Sequence, residues 1–475
     1  MLIEWCVEFS FEFIQISPNR STIHVSANTR NSAYNLALRW TRTRRNHFVD
    51  KKNALVFIHK FSVSAKIVQK QGFKNKVILL KNVDFCDIMK RTATPATPAT
   101  PATPATPATP ATRKFCHFLE NSLMRFAVLA TFLVSFALCP LIILICKKCN
   151  WYDEVDPRKI HQGKVSRLGG IAVVLSFLLF SIPFCVQKNL FDLKTALPIS
   201  LGFAIVFFTG VADDFLNLKA RMKFLIQTIV ATCVIISPYY FDSIFGFSLP
   251  FAPITGRIIT FFWVILVVNA YNLIDGMDWL CGGLSILGLI AYGTIFALKG
   301  FSENTLVFLL CGAIAGFMVW NRPKAKIFLG DGGSLSIGYA LAIFPLMCRT
   351  EETISFNRPL LALLISSIPI IDVFAAIIRR KREHRSFFSP DRRHIHHKLI
   401  NIGFSEFVIK LLLFTIQTLI SVVSIMTAFV GRKTGTALLL SAFSFTIVFF
   451  VSIHYINIAV TRRMGGYLAD HPMSE

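Results

Sequence analysis

What most constrains this chain is a succession of long apolar runs that begins near Leu123 and continues almost to the C-terminus. A bilayer core of ~30 Å needs roughly 20 apolar residues for each helical crossing. Runs of that order at 123–146, 168–186, 196–212, 223–240, 257–274, 279–298, 304–320, 334–348, 359–378, 406–430 and 436–460 predict eleven crossings. Helices are the expected element, because hydrocarbon offers no partner to an unpaired backbone group. The predicted fold class is all-α: a polytopic integral membrane protein with about eleven transmembrane helices. With 54% apolar and 16% charged residues, an ordinary soluble surface is excluded.

A formal charge of +24 would suit a nucleic-acid binder. The Lys and Arg sit instead in short loops between apolar runs, which is how membrane orientation is encoded, so the bilayer is the expected partner and nucleic acid is not. When the crossings are alternated, the loops of one side hold about 22 Lys/Arg against about 8 opposite. The richer side is the predicted cytoplasmic face.

Residues 1–92 contain no run of spanning length and form a basic N-terminal extension to which no chemistry or fold is assigned. Six Ala-Thr-Pro copies occupy 93–110, and the segment 93–117 reads as a disordered linker, since its prolines remove backbone donors and favour extended conformations. Residues 118–475 are the predicted membrane domain. Its Cys146 and Cys149 have no second pair with which to complete a zinc site.

Four polar clusters fall on the predicted cytoplasmic face. Asp213 and Asp214 close one apolar run, with Asn217, Lys219, Arg221 and Lys223 just beyond. Adjacent carboxylates beside a bilayer are costly unless a cation or protons satisfy them, although a solvated helix end is the plainer reading. Asn269, Asn272 and Asp275, spaced by three residues, share one flank of a continuing helix, and Asp278 follows. In Phe328-Leu-Gly-Asp-Gly-Gly-Ser334, Asp331 sits among glycines at a helix start, which suits close approach of an anion but also a simple turn. The last cluster, Ser389-Pro-Asp-Arg-Arg-His-Ile-His-His397, carries more His and Arg than membrane anchoring requires. Oxygen donors for a hard cation, Mg²⁺ above all, lie beside Lys, Arg and His for phosphate oxygens, which favours phosphoryl chemistry between a lipid and a soluble nucleotide conjugate.

At these motifs the chain resembles the polyprenyl-phosphate N-acetylhexosamine-1-phosphate transferases, glycosyltransferase family 4, over roughly residues 120–460. The Arg-His-Ile-His-His form is similar to the undecaprenyl-phosphate N-acetylglucosamine-1-phosphate transferase branch. The resemblance implies a helical bundle in a bacterial inner (plasma) membrane with its site on the cytoplasmic face. It also implies a Mg²⁺ requirement with Mn²⁺ as a substitute, a UDP-N-acetylhexosamine donor, a polyprenyl phosphate acceptor and release of UMP. It casts Asp213 and Asp214 as the catalytic pair, with Asp213 as base, and Asp331 and Asn272 as metal ligands. Asp275, Asp278, Asn269, Lys223, Arg393, His394, His396 and His397 become substrate-binding positions, and a homodimer is left open. Two positions depart from the pattern: Asn217 stands where the family often has a third Asp, and Trp279 where a small residue, commonly Gly, follows Asp278. The rival readings are a phospho-N-acetylmuramoyl-pentapeptide translocase, a transporter and an inactive scaffold.

Overall fold

The computed structural model describes strands between residues 11 and 80, and residues 110–152, 165–244, 247–347, 353–386 and 394–470. The chain divides into two compact units, Met1–Ser122 and Leu123–Glu475.

In the first unit the strands β1 (Phe11–Ile16), β2 (Thr22–Ala27), β3 (Leu36–Arg39), β4 (Ala54–His59), β5 (Ala65–Gln69) and β6 (Lys76–Leu80) form one antiparallel sheet in the order β3-β2-β1-β4-β5-β6. The sequence reading assigned no fold here. Short runs rich in β-branched and aromatic residues, such as Ala54-Leu-Val-Phe-Ile-His59, suit strands and are far too brief for a crossing.

The second unit is helical apart from a small hairpin, β7 (Ser243–Ile244) with β8 (Phe247–Ser248). The described helices, the first of which begins before Leu123, are α1 (Pro110–Cys149), α2 (Gly169–Lys188), α3 (Leu193–Leu216), α4 (Ala220–Ile236), α5 (Ala252–Ile274), α6 (Leu280–Leu298), α7 (Asn304–Met318), α8 (Gly330–Met347), α9 (Thr353–Ile365), α10 (Ser367–Arg382), α11 (Ile395–Ile402), α12 (Glu406–Met426) and α13 (Arg432–Asp470). Helix α1 starts at Pro110, inside the stretch expected to be disordered linker; proline, with its fixed φ and missing N–H, is well placed as a first helical residue. Residues 93–109 lie outside the described residues.

Each predicted apolar run coincides with helix, but by length and composition the count of spans is seven, or eight if the bent pair α9–α10 is one crossing. Helices α4, α7 and α8 account for the difference from eleven. The first two are short, and α8 is diluted by its glycines, serines and Asp331. Every α8 residue except Asp331 is buried, so protein rather than lipid meets its surface. Helices α2, α3 and α5 pack directly around it. Peripheral α1 instead exposes Leu123, Phe126, Leu129, Leu133, Leu141 and Leu144, a face suited to acyl chains.

Close approach explains the glycines of α8. A Cβ on Gly170 of α2 would lie 2.1 Å from the Gly333 nitrogen, so the two backbones touch where any side chain would part them.

Candidate active site

The ends of α3 and α5 and the starts of α4, α8 and α11 meet at one end of the bundle, where Asp372, in the first half of α10, reaches the α11 start. Helix α3 stops at Leu216 because Asn217 turns left-handed, with φ 48°, and its N–H returns to the Asp213 carbonyl at 2.9 Å. Asparagine tolerates that conformation, so the residue that departs from the family's Asp serves as a helix cap. The turn leaves Asp213 buried, accepting the Leu218 N–H at 2.6 Å.

Lys223, in the first turn of α4, ion-pairs with Asp213 and reaches Asp331 Oδ2 at 2.8 Å. Asn272, on the last turn of α5, donates to Asp331 Oδ1 and to Ser334 Oγ, each at 3.0 Å. Four helices thus join Asp213, Lys223, Asp331 and Asn272 in one network. Burial acts to raise the Asp331 carboxyl, but its hydrogen bond with Asp213 and the Lys223 ammonium outweigh burial and hold it below the ordinary carboxylate range.

Asp214 does something the sequence reading did not foresee. Its two oxygens accept the Asp331 N–H at 2.8 Å and the Gly332 N–H at 3.0 Å. The anion seated on the first amides of α8 is therefore the chain's own carboxylate, which braces the α8 start against α3. Gly330, with φ +73°, makes the approach possible: a Cβ there would fall 1.8 Å from the Arg167 carbonyl oxygen.

Asp275 follows α5 directly and borders the network. Burial first, then the charges of Asp331, Asp214 and Asp278, push its carboxyl well above the ordinary range, and Arg167 opposes them. Asp278 accepts the Ala325 N–H at 3.2 Å and so ties down the loop before α8. Asn269 points elsewhere than its helical spacing suggested: it exchanges hydrogen bonds with Gln227 at 2.5 and 3.3 Å, clasping α5 to α4 one turn below the network. Trp279 has φ 70°, which is why a glycine suits that position. Its backbone N–H donates to Asn321 at 2.9 Å and its indole N–H to the Met318 carbonyl at 2.7 Å.

The histidine motif reaches the same end. The His396 ring lies 2.7–2.8 Å from where a Gly276 Cβ would stand, so Gly276 admits the imidazole against the Asn269–Asp278 motif. His397 is tilted over His396, with ring centroids 4.3 Å apart. Burial, with a smaller contribution from His397, depresses His396 to about 3 and keeps it neutral at ordinary pH. His394 meets Asp372 of α10 at 2.8 Å. Arg393 lies outside the described residues.

Sequence reasoning missed Ser334, Arg167, Asp372 and the part played by Gln227. Asp372 was legible in principle: a lone carboxylate in Ile370-Ile-Asp-Val-Phe374, inside an apolar run, is itself a signal.

Among the described residues no group of three or more His, Cys, Asp or Glu side chains is arranged to hold a metal. The donor set still suits a hard divalent ion of the magnesium type, which commonly takes only one or two carboxylates and completes its shell with phosphate and water. Asp213 and Asp331 already converge on one positive charge, that of Lys223.

By fold and site this is a polytopic membrane protein whose carboxylates, amides, lysine and histidines gather at one end of a helical bundle. The sequence profile of glycosyl transferase family 4 matches residues 196–349, which include the Asp213, Asn272 and Asp331 clusters. Over 325 residues the chain is 30% identical to the undecaprenyl-phosphate alpha-N-acetylglucosaminyl 1-phosphate transferase of Yersinia pestis, across 66% of this chain and 87% of that protein. It is 29% identical to the probable undecaprenyl-phosphate N-acetylglucosaminyl 1-phosphate transferase of Bacillus subtilis, across 70% of this chain and 92% of that one. To the Escherichia coli K12 protein with the same name as the Yersinia one it is 31% identical, across 55% of this chain and 72% of that protein. The chain belongs to glycosyl transferase family 4.

Proposed function

We propose that this chain transfers N-acetylglucosamine 1-phosphate from UDP-N-acetylglucosamine to undecaprenyl phosphate with release of UMP, opening a cell-envelope glycan pathway. The observation that carries the reading is the Asp213–Lys223–Asp331–Asn272 network, built from four helices at one end of a membrane bundle. The names of the relatives supply donor sugar and acceptor.

An oxygen of the lipid phosphate attacks the sugar-bearing β-phosphorus. The bond from that phosphorus to the bridging oxygen breaks, and UMP leaves with the oxygen and its electron pair. Asp213 is placed to take or hold the acceptor's proton. Lys223, set between two carboxylates, contributes positive charge where two anions must meet, and such preorganised charge is the main lever in this kind of displacement. Asp331 and the side-chain carbonyl of Asn272 would hold Mg²⁺ or Mn²⁺. When bound, the ion neutralises the diphosphate. Asp275 and the neutral His396 border the donor side.

The orientation that fits is a plasma-membrane protein with this end facing the cytoplasm, in keeping with the 22 to 8 excess of Lys/Arg in the loops of that side. The test is UMP release by the purified chain in lipid nanodiscs, given undecaprenyl phosphate and either UDP-N-acetylglucosamine or UDP-N-acetylmuramoyl-pentapeptide. Turnover with the first donor is expected. Turnover with only the second would move the chain to the translocase branch, and none with either would leave a scaffold or transporter.

A further inference from the structure

Asp372 is a carboxylate the transfer chemistry does not use. It lies on α10, 2% exposed, with Ile370, Ile371 and Val373 as its neighbours in sequence. An ionised carboxylate in such a place is costly unless strong donors meet it. Two do, each at 2.8 Å: the Ile395 N–H on Oδ1 and His394 Nδ1 on Oδ2. The first contact caps α11 from another helix, since His394, in the cap position of α11, makes no side-chain cap of its own. The second sets the imidazole. A carboxylate only accepts, so the proton sits on Nδ1 and Nε2 is the nitrogen left for other work. The His394 ring then lies nearly parallel to His396, 6.0 Å away and 15° between planes, and His396 in turn rests on Gly276.

We propose that Asp372 is a positioning residue of the donor pocket: it docks the histidine segment on α10 and locks His394 in the Nδ1-protonated form, presenting Nε2 to the phosphate or sugar of the nucleotide donor. The proposal rests on the transferase reading above. Asp372→Asn is nearly isosteric and keeps an acceptor for the Ile395 N–H. Its NH₂ donates where the carboxylate accepted, and so forces the other tautomer.

The test uses the full chain in nanodiscs, varying UDP-N-acetylglucosamine and undecaprenyl phosphate separately. Asp372→Asn is expected to lower kcat/KM for the nucleotide sugar about tenfold to a hundredfold, as loss of an orienting partner commonly does, and to leave KM for the lipid within about twofold. In an His394→Ala background the same substitution should add less than about twofold, because its effect passes through that ring. Nitrogen-15 spectra of labelled histidine should show the His394 proton on Nδ1 in the parent chain and on Nε2 in the variant. Unchanged kcat/KM in a well-folded Asp372→Asn protein, an undiminished loss in the His394→Ala background, or an Nε2-protonated parent would each overturn the proposal. A parent chain that releases no UMP overturns the transferase reading instead, and the tautomer spectrum still decides the Asp372–His394 contact.

Discussion

Asp331 is where several helices put their polar groups together, and a single-atom change tests it. Asp331→Asn keeps the shape and the glycines around it but removes the charge that Lys223 and Asn272 address. Loss of a contact made chiefly in the transition state, ~3–4 kcal/mol, corresponds to roughly a hundredfold to a thousandfold in rate. That fall in kcat, with Tm and membrane abundance retained and partial rescue by raised Mg²⁺ or Mn²⁺, is the expected result. His396 predicts a pH effect on stability. Its folded pKa of about 3 lies below the ordinary 6.5, so the unfolded chain takes up a proton that the folded one refuses. Its contribution is complete above pH 6.5 and is lost as pH falls toward 3, reaching about 2–3 kcal/mol by pH 4.5 at ~1.36 kcal/mol per unit. Tm followed between pH 7.5 and 4.5 should fall more steeply for the parent than for His396→Gln; parallel curves would show that the ring is not buried as described. Trp279 tells how a departure from the family pattern is accommodated: a left-handed residue costs ~1–2 kcal/mol, and two hydrogen bonds, one from the indole, offset it.

Among the elements, the run 359–378 shows what apolar periodicity does not see. It reads as one crossing, yet α9 and α10 meet at 79°. The cause is chemical. Pro369 has no N–H to give the Ile365 carbonyl four residues back, and the ladder breaks at Ser366. The freed carbonyl is met from another helix, by Gln417 Nε2 of α12 at 3.0 Å. Gln417→Leu should therefore destabilise the bundle by about 1–3 kcal/mol, the cost of leaving a buried carbonyl without its donor, read as a lower Tm in nanodiscs. An unchanged Tm would mean that the bend is held by packing alone. The same distinction governs what was legible elsewhere. Apolar runs announce helices because lipid and protein both demand them, and all four polar motifs came to one end as their order along the runs implied. Partners across helices were not legible: that Asp214 caps α8, that Asn269 faces Gln227, or that Asp372 holds His394 depends on rotation about helix axes that spacing alone leaves free. Nor could composition tell a helix sheathed in protein, as α8 is, from one that meets lipid.

At the scale of the whole molecule, the proposed chemistry belongs to one of the two compact units. Every residue placed in the site belongs to Leu123–Glu475, and the Ala-Thr-Pro repeat separates that unit from the strands of the first. A chain starting at Pro110 keeps α1 entire, including the apolar face it would turn to lipid. It should insert, reach normal abundance and retain UMP release within about twofold, since among the described residues the hydrogen bonds that join Asp213, Asp214, Lys223, Asn272 and Asp331 all lie within the helical unit. Single cysteines introduced at Arg221 and Lys324, on a background from which all eleven native cysteines are removed, should be labelled by an impermeant thiol reagent only from the cytoplasmic side, as the 22 to 8 division of Lys/Arg requires. The two measurements are independent. Lost activity at normal abundance would assign the first unit a part in catalysis or regulation, whereas labelling of either cysteine from outside would turn the bundle over and place the nucleotide sugar on the wrong side of the membrane.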